Sequence, residues 1–267
     1  MCGRFVAATP VTDLARLFAI DTVALDESSN EPNYNVTPRT EVLAIRERIH
    51  RGKQSTDMQI GKRERVLSRL RWGLVPAWAN DVSVGDRMIN ARLETVAEKP
   101  AFRSAFVQRR CIIPATGFYE WQVISEATTP KGRPAKHPMY IHRRDDQPLA
   151  FAGLWEISDL ADHQSSAALP SGRAEPLSAG KLRTCSIITT EARGPFAEVH
   201  HRMPVILPPS AWSDWLDRDS HDPAALFDLV NDYPSIDQVA NEFDIFPVST
   251  RINRPDENSV ELIAPVA

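Results

Sequence analysis

The stretch of sequence that decides the fold is Pro114-Ala115-Thr116-Gly117-Phe118-Tyr119-Glu120-Trp121. Short apolar runs at residues 111–114 and 118–123 flank its Thr116-Gly117 pair, and each predicts a short buried strand. Similar runs predict further strands at residues 41–49, 66–72, 139–141, 149–155, 184–190 and 245–249. Many short strands without regular β-α-β alternation indicate an α+β fold with a mainly antiparallel β core and peripheral helices.

Helices are predicted where a start signal precedes apolar residues at helical spacing. The clearest case is Asp222-Pro223, with Asp222 as N-cap and Pro223 at the first helical position. Other helices are expected after Thr9-Pro10, over residues 94–107 with a break at Pro100, and over residues 209–216.

Three polar stretches without periodicity predict an exposed loop at about 50–64, a turn-rich connection at 125–138 and a mobile surface insertion at about 158–182. None of them has the character of a linker between two cores. We therefore expect a single domain over residues 2–267.

Composition limits the class of protein. The 267 residues are 42% hydrophobic and 25% charged, the balance of an ordinary globular chain. No apolar run is long enough to cross a bilayer, and the N-terminus lacks the features of a secretory signal, so no membrane partner is expected. Three cysteines argue against a disulfide framework and for a reducing, cytoplasmic location. Without CxxC or clustered Cys/His spacing, we expect no metal site and no cofactor.

The formal net charge of −4 does not indicate a protein that coats nucleic acid, although a local basic face can still steer an anion. Basic residues are densest in two runs: Lys62, Arg63, Arg65, Arg69 and Arg71, and then Arg103, Arg109 and Arg110. A solvated strand or helix face is the commoner explanation of such runs, and a phosphate track is the alternative.

The second residue is a cysteine, in Met1-Cys2-Gly3-Arg4-Phe5. Removal of Met1, which is usual before a small side chain, would give Cys2 a free α-amine beside its thiol. Such an aminothiol can condense with an aldehyde to an imine and then close a thiazolidine ring, or the thiol can act as an ordinary nucleophile. The alternative is a buried cysteine that happens to occupy this position.

Two further segments carry groups that suit this chemistry. Glu120 lies among Phe118, Tyr119 and Trp121, where a low dielectric would raise its pKa and make it a proton shuttle near neutral pH. An outward-facing glutamate on a strand with inward aromatics is the alternative. Asn90 and Arg92 would lie on one side of an extended segment and clamp a polar ligand or a phosphate, unless they are an N-cap and a surface arginine.

His200 precedes an apolar run and can act as an acid, a base or a hydrogen-bonding group. A solvent-exposed His200-His201 pair is the alternative. A metal site formed by the two histidines is disfavoured, because adjacent side chains rarely point at one ion.

Six separated blocks resemble the SOS response-associated peptidase (SRAP) family, in the family's order and over nearly the whole chain. They are Met1-Cys2-Gly3-Arg4-Phe5, Tyr34-Asn35-Val36-Thr37-Pro38, Trp72-Gly73-Leu74-Val75-Pro76-Ala77-Trp78, Ile89-Asn90-Ala91-Arg92-Leu93-Glu94-Thr95, Gly117-Phe118-Tyr119-Glu120-Trp121 and His200-His201-Arg202-Met203-Pro204-Val205-Ile206-Leu207.

This resemblance implies a barrel- or sandwich-like β core and a monomer that binds single-stranded DNA at an abasic site. It implies that Cys2 crosslinks to the ring-opened sugar aldehyde as a thiazolidine, which shields the lesion in the DNA damage response. Asn90 would orient the sugar, Glu120 would transfer protons and His200 would assist ring opening or imine formation. The implied DNA contacts are Arg4, Asn35, Trp72, Trp78 and Arg92. One departure is His201, where the family commonly has aspartate.

Other functions of an N-terminal cysteine remain open on the residues. One is a class II glutamine amidotransferase-like hydrolase with Cys2 as nucleophile, although Arg4-Phe5 departs from the apolar start usual there. Another is a thiol peptidase or autoprocessing activity using Cys2, Glu120 and His200. A third, without chemistry, is simple binding of single-stranded DNA.

Overall fold

A computed structural model describes residues 2–25, 31–49, 61–128, 132, 134–159 and 181–266 of the chain. Within these ranges the strands are β1 (Arg4–Ala7), β2 (Thr22–Ala24), β3 (Asn33–Val36), β4 (Glu41–Ile49), β5 (Arg63–Trp72), β6 (Asn90–Arg92), β7 (Arg110–Ala115), β8 (Gly117–Thr128), β9 (Pro134–Arg143), β10 (Leu149–Ser158), β11 (Leu182–Glu191), β12 (Arg202–Pro204) and β13 (Phe243–Pro247).

The α-helices of the described residues are short and lie between the strands. They are α1 (Val11–Leu17), α2 (Arg103–Gln108), α3 (Pro195–Val199), α4 (Trp212–Leu216), α5 (Pro223–Asn231) and α6 (Ile236–Glu242). Single 3-10 turns occupy Val82–Arg87, Leu93–Thr95, Pro209–Ala211, Thr250–Asn253 and Val260–Ile263. No helix among the described residues is long and apolar enough to cross a membrane.

Two sheets form the core. The first has the strand order β13-β9-β8-β1-β3, with antiparallel pairs throughout. The second has the order β12-β11-β10-β7-β4-β5-β2, and β6 is added beside β11. A parallel pairing of β11 with β5 joins the two ends of the run β11-β10-β7-β4-β5, so these five strands form a closed barrel. The predicted α+β fold with a mainly antiparallel β core is confirmed.

The barrel strands are buried on both of their faces, because alternate residues belong to two different core clusters. One face packs against helices through Leu14 of α1, Phe106 of α2 and Trp215 of α4. The other face packs against the first sheet and α3, where Phe5 and Phe118 contact Phe151 edge to face at centroid distances of 6.0 and 5.9 Å. Buried aromatic pairs of this kind fix the orientation of the two sheets.

The Thr116-Gly117 pair makes the turn between the two sheets, because β7 belongs to the barrel and β8 to the first sheet. A Cβ at Gly117 would lie 2.5 Å from the hydroxyl oxygen of Tyr140 and 2.7 Å from the carbonyl oxygen of Ile141. Only glycine allows this backbone approach. Close packing therefore requires glycine at position 117, the first residue of β8.

Several sequence predictions need correction. The connection expected at 125–138 is wrong at both ends, because β8 runs to Thr128 and β9 begins at Pro134. The break expected at Pro100 is present, but the helix expected over 94–107 is shorter than predicted and is limited to the turn Leu93–Thr95 and the short α2. The loop predicted at about 50–64 ends earlier, because Arg63 and Glu64 belong to β5. Residues 50–60 and 160–180 lie outside the described residues.

The predicted N-cap is confirmed: the side chain of Asp222 accepts a hydrogen bond from the backbone N–H of Ala224 at 3.0 Å. The described members of the two basic runs are engaged mainly within the protein. Arg63 pairs with Glu47, Asp217 and Asp219, Arg71 with Asp86, and Arg109 with Glu156. The arginines named here are therefore held by carboxylates of the protein itself, which favours the structural explanation of these runs over a phosphate track.

Candidate functional site

Cys2 lies where β1 enters the first sheet. Arg4 pairs with Tyr119 of β8, and continuing this antiparallel register brings the residues before Arg4 alongside Glu120 and Trp121. The Cys2 side chain has 0% exposure in the core cluster that contains Phe5 and Phe118. The sequence thus delivers Cys2 to the strand that carries the candidate acid.

Glu120 influences the protonation of Cys2. Burial raises the pKa of the Cys2 thiol well above its usual value, and the neighbouring Glu120 carboxylate raises it further. Burial also raises the pKa of Glu120, which is 3% exposed. A thiol held neutral beside a carboxyl group with a raised pKa can exchange protons with it during a reaction.

Asn90 holds the backbone of Cys2. Its Nδ2 donates a hydrogen bond to the carbonyl oxygen of Cys2 at 2.9 Å. Its Oδ1 is buried and accepts no hydrogen bond from any residue that the structure describes. Asn90 is itself fixed because β6 pairs in parallel with β11, with Asn90 opposite Ile187. The amide therefore anchors the cysteine with one atom and leaves a buried acceptor for a ligand.

His200 follows α3, which packs on β8: Gln122 Nε2 donates to the carbonyl oxygen of Glu198 at 3.1 Å. Its Nδ1 accepts the backbone N–H of Arg202 at 3.0 Å. Because a backbone N–H can only donate, the neutral ring carries its proton on Nε2. Burial, together with the positive charges of the N-terminus, His201 and Lys136, lowers the pKa of His200 to about 4. His200 is thus a neutral donor at pH 7.

The segments carrying His200 and Asn90 are joined by an ion pair. Arg202, 7% exposed, donates from Nη1 and Nη2 to the two carboxylate oxygens of Glu94 at 2.6 and 3.0 Å. Its Nη2 also donates to the carbonyl oxygen of Thr189 at 2.6 Å. A bidentate pair of this kind fixes distance and orientation together.

Arg4 and Asn35 are directed into the protein. Arg4 Nη1 donates to Asn35 Oδ1 at 2.5 Å and to the carbonyl oxygen of Ile252 at 2.7 Å. Asn35 is 4% exposed and donates to the carbonyl oxygens of Arg254 and Glu257. Both side chains are thus engaged internally, which does not match the direct DNA contacts implied for them.

The two tryptophans of the Trp72–Trp78 block differ. Trp72 is fully buried and its Nε1 donates to the carbonyl oxygen of Ile89 at 2.8 Å, so it offers no face to a base. This corrects its implied DNA contact. Trp78 is 61% exposed. Arg92 is also exposed and forms no ion pair with the residues that the structure describes.

The structure thus gathers Cys2, Asn90 and Glu120 around one point, with His200 on the adjacent helix end. Sequence reasoning missed three neighbours. Glu94 and Arg202 stand in the quoted sequence blocks, but no role was predicted for them. Their ion pair joins segments that are far apart in the chain, so the local sequence does not reveal it. Lys136, whose charge acts on both Glu120 and His200, lies on β9 in a region predicted to be a loop. A correct hairpin prediction would have placed Lys136 opposite Val123.

Comparisons with known proteins show the family to which the chain belongs. The profile of the family "SOS response associated peptidase (SRAP)" matches residues 1–255. The chain is 37% identical over 263 residues to "Abasic site processing protein YoqW" of Bacillus subtilis (strain 168), covering 98% of this chain and 99% of that protein. It is 28% identical to "Abasic site processing protein YedK" of Escherichia coli (strain K12), covering 100% of both.

A solved structure supports the fold. An X-ray crystal structure of a protein from Bacteroides thetaiotaomicron superimposes with a TM-score of 0.73 at 21% identity, over 100% of each chain. Similarity at this level of identity concerns the fold alone. Together with the profile match, the 37% identity establishes that the chain belongs to the SOS response associated peptidase (SRAP) family.

Proposed function

We propose that this protein senses abasic sites in single-stranded DNA and crosslinks covalently to them through Cys2. The observation that carries the proposal is the position of Cys2, held by Asn90 at its carbonyl oxygen and lying beside the buried Glu120. Its relatives YoqW and YedK are named abasic site processing proteins, which supports the same substrate. The adduct would shield the lesion as part of the DNA damage response, in the compartment that holds the DNA.

The chemistry begins once Met1 has been removed. The α-amine of Cys2, with a pKa of about 8, has a far larger neutral fraction near pH 7 than a lysine amine, and its neutral form attacks C1′ of the ring-opened sugar. The resulting carbinolamine loses its hydroxyl group as water, with a proton supplied by Glu120, and an imine forms. The thiol then adds to the imine carbon while its proton passes to the nitrogen. One aldehyde and one aminothiol thus give one thiazolidine and one water.

His200 and Asn90 have supporting roles in this proposal. Because the pKa of His200 is lowered to about 4, the ring stays neutral and donates a hydrogen bond from Nε2–H to the sugar ring oxygen, which stabilises the charge that develops there during opening. The free Oδ1 of Asn90 accepts a hydrogen bond from the α-amine or a sugar hydroxyl. A single strand fits, because a duplex would not present the sugar to a residue buried at a strand end.

A direct test uses an oligonucleotide with one uracil, excised to leave an abasic site, and denaturing electrophoresis. The wild-type protein should give an adduct that persists without borohydride, because a thiazolidine needs no reduction. Cys2→Ser and Cys2→Ala should give none. A retained Met1, checked by mass spectrometry, should have the same effect. An adduct that survives in either case would contradict the mechanism.

The same variants separate this function from thiol hydrolysis. A glutaminase or peptidase would release product from glutamine or a peptide without DNA, and Cys2→Ala would abolish it. We expect no such product from the wild type under conditions that give the DNA adduct.

A further inference from the structure

The turn at residues 37–40 lies next to Cys2, on the side away from Glu120. Strand β1 has β8 as one neighbour and β3 as the other, with Val36 of β3 opposite Phe5. Continuing this antiparallel register brings the turn alongside the chain end that carries Cys2. The turn and Glu120 therefore flank Cys2 from its two sides.

Hydrogen bonds connect the same turn to the side chain that anchors Cys2. The backbone N–H of Arg39 donates to the carbonyl oxygen of Trp72 at 2.8 Å, and Trp72 Nε1 donates to the carbonyl oxygen of Ile89 at 2.8 Å. Asn90, the next residue, donates to the carbonyl oxygen of Cys2. Three successive hydrogen bonds thus place the backbone of Arg39 beside the candidate site.

The backbone of Arg39 has a conformation that strains an arginine. Its φ is 73°, in the left-handed region. Pro38 precedes it, and the N–H of Thr40 donates to the carbonyl oxygen of Thr37 at 3.4 Å, which is the pattern of a type II β-turn. Glycine or asparagine is favoured at this position of such a turn, because φ is positive there. An arginine held in this conformation indicates that its side chain has a function.

The side chain of Arg39 is held at one nitrogen and is otherwise open. Its Nη2 lies 2.9 Å from Asp86 Oδ2, while Asp86 Oδ1 accepts a hydrogen bond from the buried Arg71 at 3.2 Å. The Arg39 side chain is 65% exposed. Since one carboxylate serves two guanidinium groups, these three side chains together carry a net positive charge, and that charge is exposed at Arg39.

The ion pair with Asp86 also connects Arg39 to the loop that carries Trp78. A hydrogen bond of 3.1 Å from Leu74 N–H to the carbonyl oxygen of Met88 closes this loop. Arg39 therefore joins the segment beside the candidate site to the loop whose exposed tryptophan is a candidate for base stacking. A guanidinium in this place is suited to a doubly hydrogen-bonded oxyanion such as a phosphodiester.

We propose that Arg39 binds a backbone phosphate next to the abasic nucleotide whose sugar reacts at Cys2. This deepens the proposed function and rests on it. Asp86 positions the guanidinium by holding Nη2, and the exposed donors of the fork bind the phosphate oxygens. The phosphate supplies the negative charge that a cluster of two arginines and one aspartate lacks.

The test measures non-covalent binding of a single strand that carries a tetrahydrofuran abasic analogue, which cannot form an imine. Fluorescence anisotropy is recorded at several salt concentrations. Arg39→Asn should weaken binding about three- to tenfold at low salt and reduce the slope of log K against log salt by about 0.7, the value for one phosphate on a single strand. The thermal midpoint should change little, because the strain that asparagine relieves offsets the exposed ion pair that is lost.

Arg16→Gln is the matched control. Arg16 is also an exposed arginine paired with one carboxylate, since its Nη2 lies 3.1 Å from Asp13 Oδ1. It belongs to α1, which packs on the other face of the barrel strands from the first sheet. This variant should keep the affinity and the salt slope of the wild type.

A methylphosphonate, which removes the charge of a single phosphate, locates the contact on the strand. It is placed on either side of the abasic analogue in turn. At one of the two positions it should weaken binding by the wild type and have little further effect on Arg39→Asn, because both changes remove the same contact. Additive losses at both positions would overturn the inference. So would an unchanged salt slope in Arg39→Asn, including one accompanied by a lower thermal midpoint, which would show a purely structural role.

Adduct formation on a true abasic site distinguishes this inference from the proposed function. If the wild type forms no adduct, the proposed function fails, whereas the coupling between Arg39 and a phosphate is read from binding alone. If the adduct forms but Arg39→Asn binds the analogue with wild-type affinity and slope, the inference alone fails.

Discussion

Arg202 donates two hydrogen bonds, of 2.6 and 3.0 Å, to the carboxylate of Glu94. This ion pair connects the segment that follows His200 with the segment that follows Asn90. The strands of these segments, β12 and β6, also both pair with β11. The ion pair adds a side-chain connection between them without touching a reacting atom.

Glu94→Gln should test this ion pair through stability. Removing the charge leaves the buried Arg202 with weaker acceptors, so we expect a loss of about 1–3 kcal/mol in the free energy of unfolding at pH 7. Although partial burial raises it, the hydrogen bonds from Arg202 and the backbone set the pKa of Glu94 below its usual value.

The contribution of Glu94 to the free energy of unfolding should decrease as the pH falls. A carboxyl group with a depressed folded pKa stabilises the protein above its unfolded pKa, about 4.3, and this contribution is lost as pH falls below that value. The stability difference between wild type and Glu94→Gln, measured by urea unfolding, should therefore shrink as pH falls from 5 toward 3. A difference that grows on acidification would contradict the assignment.

His201→Asp should raise the pKa of His200. The two rings lie 4.3 Å apart, and positive charge on His201 disfavours protonation of its neighbour, whereas a carboxylate would favour it. NMR titration of histidine-labelled protein should show His200 titrating above about 4 in the variant. His201→Gln serves as the neutral control, and a value that falls in His201→Asp would refute the electrostatic explanation.

Glu120→Gln should slow crosslinking at saturating abasic DNA by about 10²- to 10⁴-fold, the usual contribution of a general acid or base. Affinity for an undamaged strand should change much less, and equal losses in both would argue against proton transfer. Because the Glu120 carboxylate raises the pKa of the Cys2 thiol, the variant should also lower that pKa.

Trp78→Ala should weaken binding of single-stranded DNA by about 1–3 kcal/mol, the range for loss of one base–aromatic stack. Trp78→Phe should recover much of this, because a smaller ring still stacks. Trp72→Phe is the contrasting variant: it deletes the hydrogen bond to Ile89, so it should lower the thermal midpoint, with binding affected less than by Trp78→Ala. The reverse pattern would restore Trp72 as a DNA contact.

The strands were the most predictable part of the fold. Glu41–Ile49 has the same bounds in sequence and structure, because alternating residues pack on both faces of the barrel and the sequence keeps that period. The β8–β9 hairpin was missed, since its outer half is polar and contains Pro and Gly, which are typical of loops. Backbone hydrogen bonds between β8 and β9 extend this hairpin, and the side-chain pattern does not indicate them.

At the site, the candidate catalytic residues could be predicted from their residue types and motifs. The residues that hydrogen-bond to them or position them could not. Nothing in the local sequence of Arg4 or Asn35 predicts that both bind the segment near residue 254, because that contact joins the two ends of the chain. The burial of Trp72 likewise depends on tertiary contacts that the local sequence does not show, including its hydrogen bond to the carbonyl oxygen of Ile89.

The pairing of β5 with β11 has a consequence for how the chain folds. It places Arg71 opposite Thr184, two residues that are distant in sequence. The barrel can therefore close only after β11, its last strand in chain order, has been made. Such non-local closure is slow, since the entropy of a long loop is lost before any contact forms. A polypeptide that ends before Leu182, as during its synthesis, would carry two unpaired strand edges, so premature termination should yield aggregates and not a smaller working protein.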